Sequence, residues 1–101
     1  MACWFIDRGG DSPKDSVIIY ADSFLEGISI ILDYLILKHG KKNSDWKVFN
    51  IQQISDKDKK YEIWSIEICK DKNKREIKTY YFDISGIKKS KKSVFLFKFL
   101  S

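Results

Sequence analysis

The sequence has few of the residues that build metal centres and disulfide frameworks. It contains two cysteines, Cys3 and Cys69, and one histidine, His39, among 101 residues. A structural zinc site needs four nitrogen, sulfur or oxygen ligands, and a small secreted scaffold generally carries several disulfides. Two distant cysteines and one histidine provide neither pattern. We therefore expect two reduced thiols, no metal site and no cofactor.

Proline is equally scarce, and long apolar runs are missing. The only proline is Pro13, so no proline-rich linker divides the chain, and its length suffices for one hydrophobic core. A membrane-spanning helix needs about 18 or more consecutive apolar residues, and no such stretch occurs. The first residues lack the basic leader and the apolar length of a secretory signal. The expectation is a single domain over residues 1–101, located in the cytoplasm and without membrane contact.

Catalytic motifs are missing as well. The chain has no Gly-x-Ser-x-Gly elbow, no phosphate-binding glycine loop and no His-Glu-x-x-His motif. His39 could act with either cysteine as a nucleophile–base pair, or with a lysine as a ribonuclease site. Nothing in the sequence directs these side chains toward one another. We therefore expect no catalytic residues and a protein that is not an enzyme.

One long helix is the clearest local feature. Ser23 and Glu26 have the spacing of a capping box, and Gly40 follows Lys38 and His39 as a C-terminal stop. The helix is therefore predicted over about residues 23–39. Helical spacing predicts a core face made of Phe24, Leu25, Ile28, Ile31, Leu32 and Leu35, to which Ile36 adds. A second apolar row is made of Ile30, Tyr34 and Leu37. Because the helix is apolar on most sides, its remaining surface is either buried or kept for a partner.

Apolar and β-branched segments on both sides of the helix predict strands. These segments cover residues 2–7, 17–20, 46–54, 61–69, 76–84 and 94–100. Ser85 and Gly86 are expected to end the fifth strand. The segments 61–69 and 76–84 flank a turn at 70–75, and a hairpin symmetric about that turn pairs Trp64 with Tyr81. The order predicts an α+β domain with one long helix on an antiparallel sheet of five or six strands, either one sheet or a bent half-barrel.

Negative charge is concentrated at the start of the chain. Residues 1–37 carry six acidic and two basic side chains, a net charge of −4. On a helix, positions 22, 26, 29 and 33 share one side, so some of these carboxylates would face a partner together. Such a surface suits a basic protein partner, with electrostatic steering of association. The candidate partner contacts are Asp11, Asp15, Asp22, Glu26 and Asp33.

Positive charge is concentrated in the turns of the second half. Residues 38–101 carry 17 basic and eight acidic side chains, a net charge of +9. Nucleic-acid binding needs such charge, although these bases are almost all lysine and occupy turns, where solvation is their usual role. The alternative is therefore a small basic RNA- or DNA-binding protein. Its candidate contacts are Lys70, Lys72, Lys74, Arg75, Lys88, Lys89, Lys91 and Lys92.

In length and element order, the whole chain resembles the small immunity proteins of bacterial toxin systems, including those of contact-dependent growth inhibition. The resemblance rests on size and layout and transfers no individual residue. It implies a cytoplasmic antitoxin that binds and blocks one cognate toxin domain, commonly a nuclease. The partner's identity stays open, and so does the oligomeric state, since residues 94–100 could pair across a homodimer from a sheet edge.

Overall fold

The computed structural model describes residues 4–71 and 73–87. The predicted strand over 94–100, together with Cys3, Lys72 and the lysines at 88, 89, 91 and 92, lies outside the described residues. The elements are β1 (Trp4–Ile6), β2 (Val17–Ala21), α1 (Phe24–His39), β3 (Trp46–Asp56), β4 (Lys59–Asp71) and β5 (Lys74–Ile87). One helix packed on a sheet confirms the predicted α+β class.

The five strands form one mixed sheet in the order β1-β2-β5-β4-β3. The expectation of a purely antiparallel sheet is wrong at one position, because β2 and β5 pair in parallel. The helix causes this, since α1 carries the chain back along the sheet and three strands then follow in hairpins. The chain then reverses twice, between β3 and β4 and between β4 and β5. The strand β5 therefore runs in the same direction as β3 and β2. The described sheet is open, with β1 and β3 at its edges.

The β4–β5 hairpin has a register one residue away from the prediction. Trp64 pairs with Tyr80, not with Tyr81. The difference arises at the tip, where Asp71 pairs with Lys74 but Cys69 pairs with Arg75, so the strand register shifts between 69 and 71. The extra residue on β4 forms a β-bulge. Compared with the predicted hairpin, each β4 residue beyond the bulge therefore pairs with the neighbouring β5 residue, whose side chain lies on the other face of the sheet.

The fifth strand also continues beyond its predicted end. Gly86 lies inside β5 and pairs with Tyr20 of β2. A Cβ atom at Gly86 would approach the Tyr20 ring to 2.8 Å and the Ile19 carbonyl oxygen to 3.0 Å. The residue read as a strand breaker is therefore a glycine that permits the close approach of two neighbouring strands.

The helix begins and ends as its sequence predicts. Ser23 is extended and its Oγ accepts a hydrogen bond from the Glu26 N–H at 3.2 Å. Gly40 has a positive φ of 99°, and its N–H donates to the Ile36 carbonyl at 2.9 Å. Positive φ favours glycine, which explains the end of the helix at this residue.

Replacing the cap residue tests this boundary. Ser23→Ala is expected to lower the free energy of unfolding by about 1 kcal/mol, because the Glu26 N–H loses its acceptor. Ser29→Ala is the matched control, since Ser29 is exposed in the helix interior, where alanine is favourable. Urea unfolding followed by circular dichroism measures both. Equal stabilities of the two variants would contradict the capping role.

The core lies between α1 and one face of the sheet. The helix contributes Phe24, Ile28, Ile31, Tyr34 and Leu35, and the strands contribute Val17, Ile19, Trp46, Trp64, Ile66, Tyr80, Phe82 and Ile84, among others. The predicted helix face is confirmed as buried at four of its seven residues, and the prediction is wrong for Leu25 and Ile36. Leu25 and Ile36 are 60% and 43% exposed, because they lie on the side of α1 that turns away from the sheet. Leu32 is half-buried and packs against the margin of the core.

Candidate protein-binding surface

The side of α1 that faces away from the sheet carries a line of apolar side chains. Leu25 and Ile36 are 60% and 43% exposed. Leu32 lies between them along the helix and is half-buried, with part of its side chain against the core. Their spacing of seven and four residues aligns them along one side of the helix. We call these three residues the outer stripe. Aligned apolar side chains at the surface are typical of protein-binding sites, whereas isolated ones are not informative.

Negative charge lies beside the outer stripe. Asp33 is exposed on the adjacent side of the helix, and Leu37, at 77% exposure, follows it by one turn. Glu26 occupies the first turn of the same side and is half-buried. The outward surface of α1 thus combines an apolar line with a carboxylate margin, a composition suited to a partner that is apolar at its centre and basic around it.

The predicted acidic contacts are not one patch. Asp15 precedes β2 and Asp22 follows it, so at about 3.3 Å per residue the two lie about 20 Å apart. Asp11 lies in the same loop as Asp15, with its Oδ1 3.9 Å from the Lys78 Nζ. A surface centred on α1 therefore brings together Asp22, Glu26 and Asp33 and leaves out the two loop carboxylates.

A cavity of about 330 Å³ lies between the edge strand β1 and α1, and the sequence did not indicate it. Its described lining is Trp4, Phe5, Ile30 and Asp33. Only Asp33 was predicted as a partner contact. The helical spacing of Ile30 and Asp33 signals a shared side, but no sequence pattern places β1 beside them.

A cluster of polar side chains joins the β1–β2 loop, the end of α1 and β5. The Tyr34 hydroxyl donates to Asp7 Oδ1 at 3.0 Å, and the Lys38 Nζ lies 3.1 Å from Asp7 Oδ2. The Tyr80 hydroxyl and His39 Nε2 are 2.6 Å apart. The rings of Tyr34 and Tyr80 meet edge to face, with centroids 5.8 Å apart. These contacts fix the C-terminal half of α1 on the sheet.

The ionisation of this cluster follows from burial and from its charges. Burial opposes charge on Asp7, but hydrogen bonds from the Gly9 N–H, Lys38 and Tyr34 outweigh it and lower the Asp7 pKa. Burial, with the charges of Lys78 and Lys38, lowers the pKa of His39. Burial, with the nearby carboxylates, raises the pKa of Tyr80 to about 12. The ground state near neutral pH is therefore a neutral imidazole beside a neutral phenol.

The Cys69–His39 pair considered from the sequence is not brought together. Trp64 and Tyr80 pair on the face that α1 covers, and alternation along β4 places Cys69 on the opposite face. His39 contacts Tyr80 on the helix side. Cys69 is a free, half-buried thiol. The sheet itself separates the two groups, so they do not form a nucleophile and its base.

The described basic residues at the β4–β5 tip are partly neutralised. Lys70 lies 2.6 Å from Glu76, and Arg75 lies 2.8 Å from Glu67. Lys74 is exposed. Bases that already pair with carboxylates attract a nucleic-acid backbone less strongly than free ones.

Within residues 4–71 and 73–87, no group of three or more histidine, cysteine, aspartate or glutamate side chains is arranged to hold a metal ion. Over the same residues, no helix combines the length and the apolar character needed to cross a membrane.

The chain was compared with models of protein families, with curated proteins and with solved structures. None of the three comparisons finds a match.

Proposed function

We propose that this chain is a non-catalytic immunity protein that binds a cognate bacterial toxin domain through the outward surface of α1 and blocks it. The observation that carries the proposal is the outer stripe with its carboxylate margin. Leu25 and Ile36 remain exposed on a helix whose other side is fully packed. Keeping apolar side chains in water has no benefit for folding, so a partner that covers them explains their alignment.

The mechanism is occlusion. The helix is held by the core and by the polar cluster at its C-terminal end, so it presents a preformed surface. A preformed surface loses little conformational entropy on binding. The carboxylates beside the stripe favour a toxin domain whose active surface is basic, such as a nuclease, and they accelerate its encounter. An immunity protein of this kind acts in the cytoplasm, where the toxin would otherwise reach its substrate.

The proposal predicts a large effect of two substitutions on the stripe. The partner is first obtained by co-purification from native cells and identified, with the product of a neighbouring toxin gene as the expected one. The double variant Leu25→Ser and Ile36→Ser should then weaken binding by about 30- to 1000-fold, equivalent to about 2–4 kcal/mol of lost apolar burial. Isothermal titration calorimetry measures the affinity, and a growth assay measures protection from the toxin.

Phe49→Ser provides the matched control. Phe49 is 65% exposed, which resembles Leu25, but it lies on the edge strand β3. Its replacement should leave the affinity within about threefold of the original chain, as expected for a residue outside the contact. Equal affinities of the stripe variant and the original chain would refute the proposed surface.

Charge reversal tests the margin separately. Asp33→Lys should slow association at low salt while changing dissociation little, because rim charges act mainly on the encounter. Asp33 is chosen because Asp22 and Glu26 flank the helix N-terminus, where a positive charge would also destabilise α1. The nucleic-acid alternative predicts a different result, namely a salt-sensitive shift of a labelled oligonucleotide by the chain alone. That shift, without a protein partner, would replace the proposal.

A further inference from the structure

The edge strand β3 lacks most of the features that keep sheet edges from pairing with other chains. Proteins protect such edges with short strands, bulges, proline or charged side chains. The opposite edge, β1, is only three residues long. In contrast, β3 has 11 residues, and the segment from Val48 to Ser55 contains no charge, no proline and no glycine. Its one interruption is the bulge at Phe49.

One side of β3 is accessible to another strand. Antiparallel pairing with β4 occupies its other side, and no further strand among residues 4–71 and 73–87 pairs with it. All residues from 52 to 56 are exposed, and Phe49 and Ile54 are two of the exposed large apolar residues of the chain. Unpaired backbone N–H and C=O groups at such an edge can bind a strand from another chain.

The sequence of this edge is complementary to a second copy of itself. We consider an antiparallel arrangement in which Gln52 lies opposite Gln52 of the copy and Asn50 lies opposite Ile54. The bulge adds one residue, so Lys47 then lies opposite Asp56 of the copy. A two-fold axis repeats this opposite-charge pair at the other end of the interface. The arrangement therefore places amides at the centre and one ion pair at each end.

The two end residues are placed to pair across such an interface. Lys47 and Asp56 are exposed and face the same side of the sheet, because their β4 partners, Glu67 and Lys59, are an even number of residues apart. The Lys47 Nζ lies 3.6 Å from Glu67, but Glu67 also pairs with Arg75 at 2.8 Å. Within the described parts of the chain, no lysine or arginine forms an ion pair with Asp56.

We propose that two copies of this chain pair through β3, antiparallel and about a two-fold axis at Gln52, and so join their sheets into one. The axis is perpendicular to the joined sheet, so both helices lie on the same face. The interface is separate from the outer stripe, because α1 packs mainly on β2 and β5. The dimer therefore presents two outer stripes, and the inference does not depend on the proposed function.

Sedimentation velocity of the full chain alone tests the inference. We expect a dimer with a dissociation constant on the order of 10–100 μM, as suits a small interface. Gln52→Lys should weaken it at least about tenfold, because two lysines then lie directly opposite each other. Ser29→Lys is the matched control, since it adds the same charge at an exposed position of α1 and should leave the constant unchanged. A chain that stays monomeric up to about 1 mM, or equal dimerisation of Gln52→Lys and the original chain, would overturn the inference.

Two opposite charge changes test the arrangement of the strands. Lys47→Asp and Asp56→Lys should each weaken dimerisation about tenfold or more, because like charges then meet at both ends. An equimolar mixture should dimerise within about threefold of the original chain, since each variant supplies the charge that the other needs.

This recovery also shows that both variants are folded. It cannot come from general attraction, because the net charge of +5 changes by two and stays positive in both variants. A mixture that dimerises no better than the separate variants would refute the proposed pairing. The same result, with a monomeric original chain, is expected if residues 94–100 of the same chain cover β3 instead.

Discussion

Glu62→Gln is expected to stabilise the protein at pH 8 by about 3 kcal/mol and to leave its stability near pH 4 almost unchanged. Glu62 is fully buried on β4, where its Oε1 accepts a hydrogen bond from the Trp64 indole N–H at 2.9 Å. Its other carboxylate oxygen has no hydrogen-bond partner among the described residues. The pKa of Glu62 is raised from 4.5 to about 7. Burial, which raises the pKa, has a larger effect than the hydrogen bond from Trp64, which lowers it.

The sign of the effect follows from where the proton is bound. Between pH 4.5 and about 7, the folded protein keeps the Glu62 proton while the unfolded chain has released it. The free energy of unfolding therefore falls as the pH rises, by about 1.4 kcal/mol for each pH unit, and stays low above pH 7. A glutamine side chain still accepts the hydrogen bond from Trp64 and carries no charge. The variant therefore does not lose stability at this position as the pH rises.

Urea unfolding of both proteins at pH 4, 6 and 8 measures the prediction. The difference between the two isolates Glu62, because the carboxylates with lowered pKa values, such as Asp7 and Glu76, are present in both. Those groups act in the opposite direction, since their contribution to stability is lost as the pH falls. A difference in stability that is the same at all three pH values would show that Glu62 has the same pKa in the folded and the unfolded chain, which would contradict the raised pKa.

Gly10→Ala is expected to cost about 2–5 kcal/mol, the sum of left-handed backbone strain and overpacking. Gly10 is buried with a φ of 78°. Its N–H donates to the Asp15 carbonyl at 2.7 Å, and its carbonyl accepts from the Tyr81 N–H at 2.8 Å. A Cβ atom there would lie 2.7 Å from the ring of Tyr80, which cannot move away without disturbing His39.

Gly9→Ala separates the two contributions to this cost. Gly9 has a φ of 105°, but an added Cβ would meet only an Asp11 carboxylate oxygen, at 3.8 Å. Its replacement should therefore cost only the backbone strain, about 1–2 kcal/mol. Thermal unfolding of the two variants measures the difference. If both lose the same stability, the contact between Gly10 and Tyr80 does not limit the packing of this loop.

Much of the local structure could be read from the sequence. The helix is the best example, because Ser23 and Gly40 act through bonds to residues three or four positions away. The strand positions follow from similarly local patterns. The charge of the proposed binding surface could be read from the sequence, since Asp33 and its neighbours were predicted as contacts. Whether those residues form the contact is what the stripe and charge-reversal experiments decide.

Tertiary structure decided which side of each element meets the core. Leu25 and Ile36 continue the apolar pattern of Phe24 and Ile28, yet they are exposed on the side of α1 that faces away from the sheet. The one-residue bulge in β4 decided that Tyr80, not Tyr81, packs opposite Trp64 and contacts His39. Neither the pocket beside Trp4 nor the burial of Glu62 has a local signature, because both depend on how distant segments come together. The sequence by itself therefore determined the elements and their ends through short-range hydrogen bonds and periodicity. The parallel β2–β5 pairing, the register and the exposed side of α1 depend on long-range packing, which only the assembled fold sets.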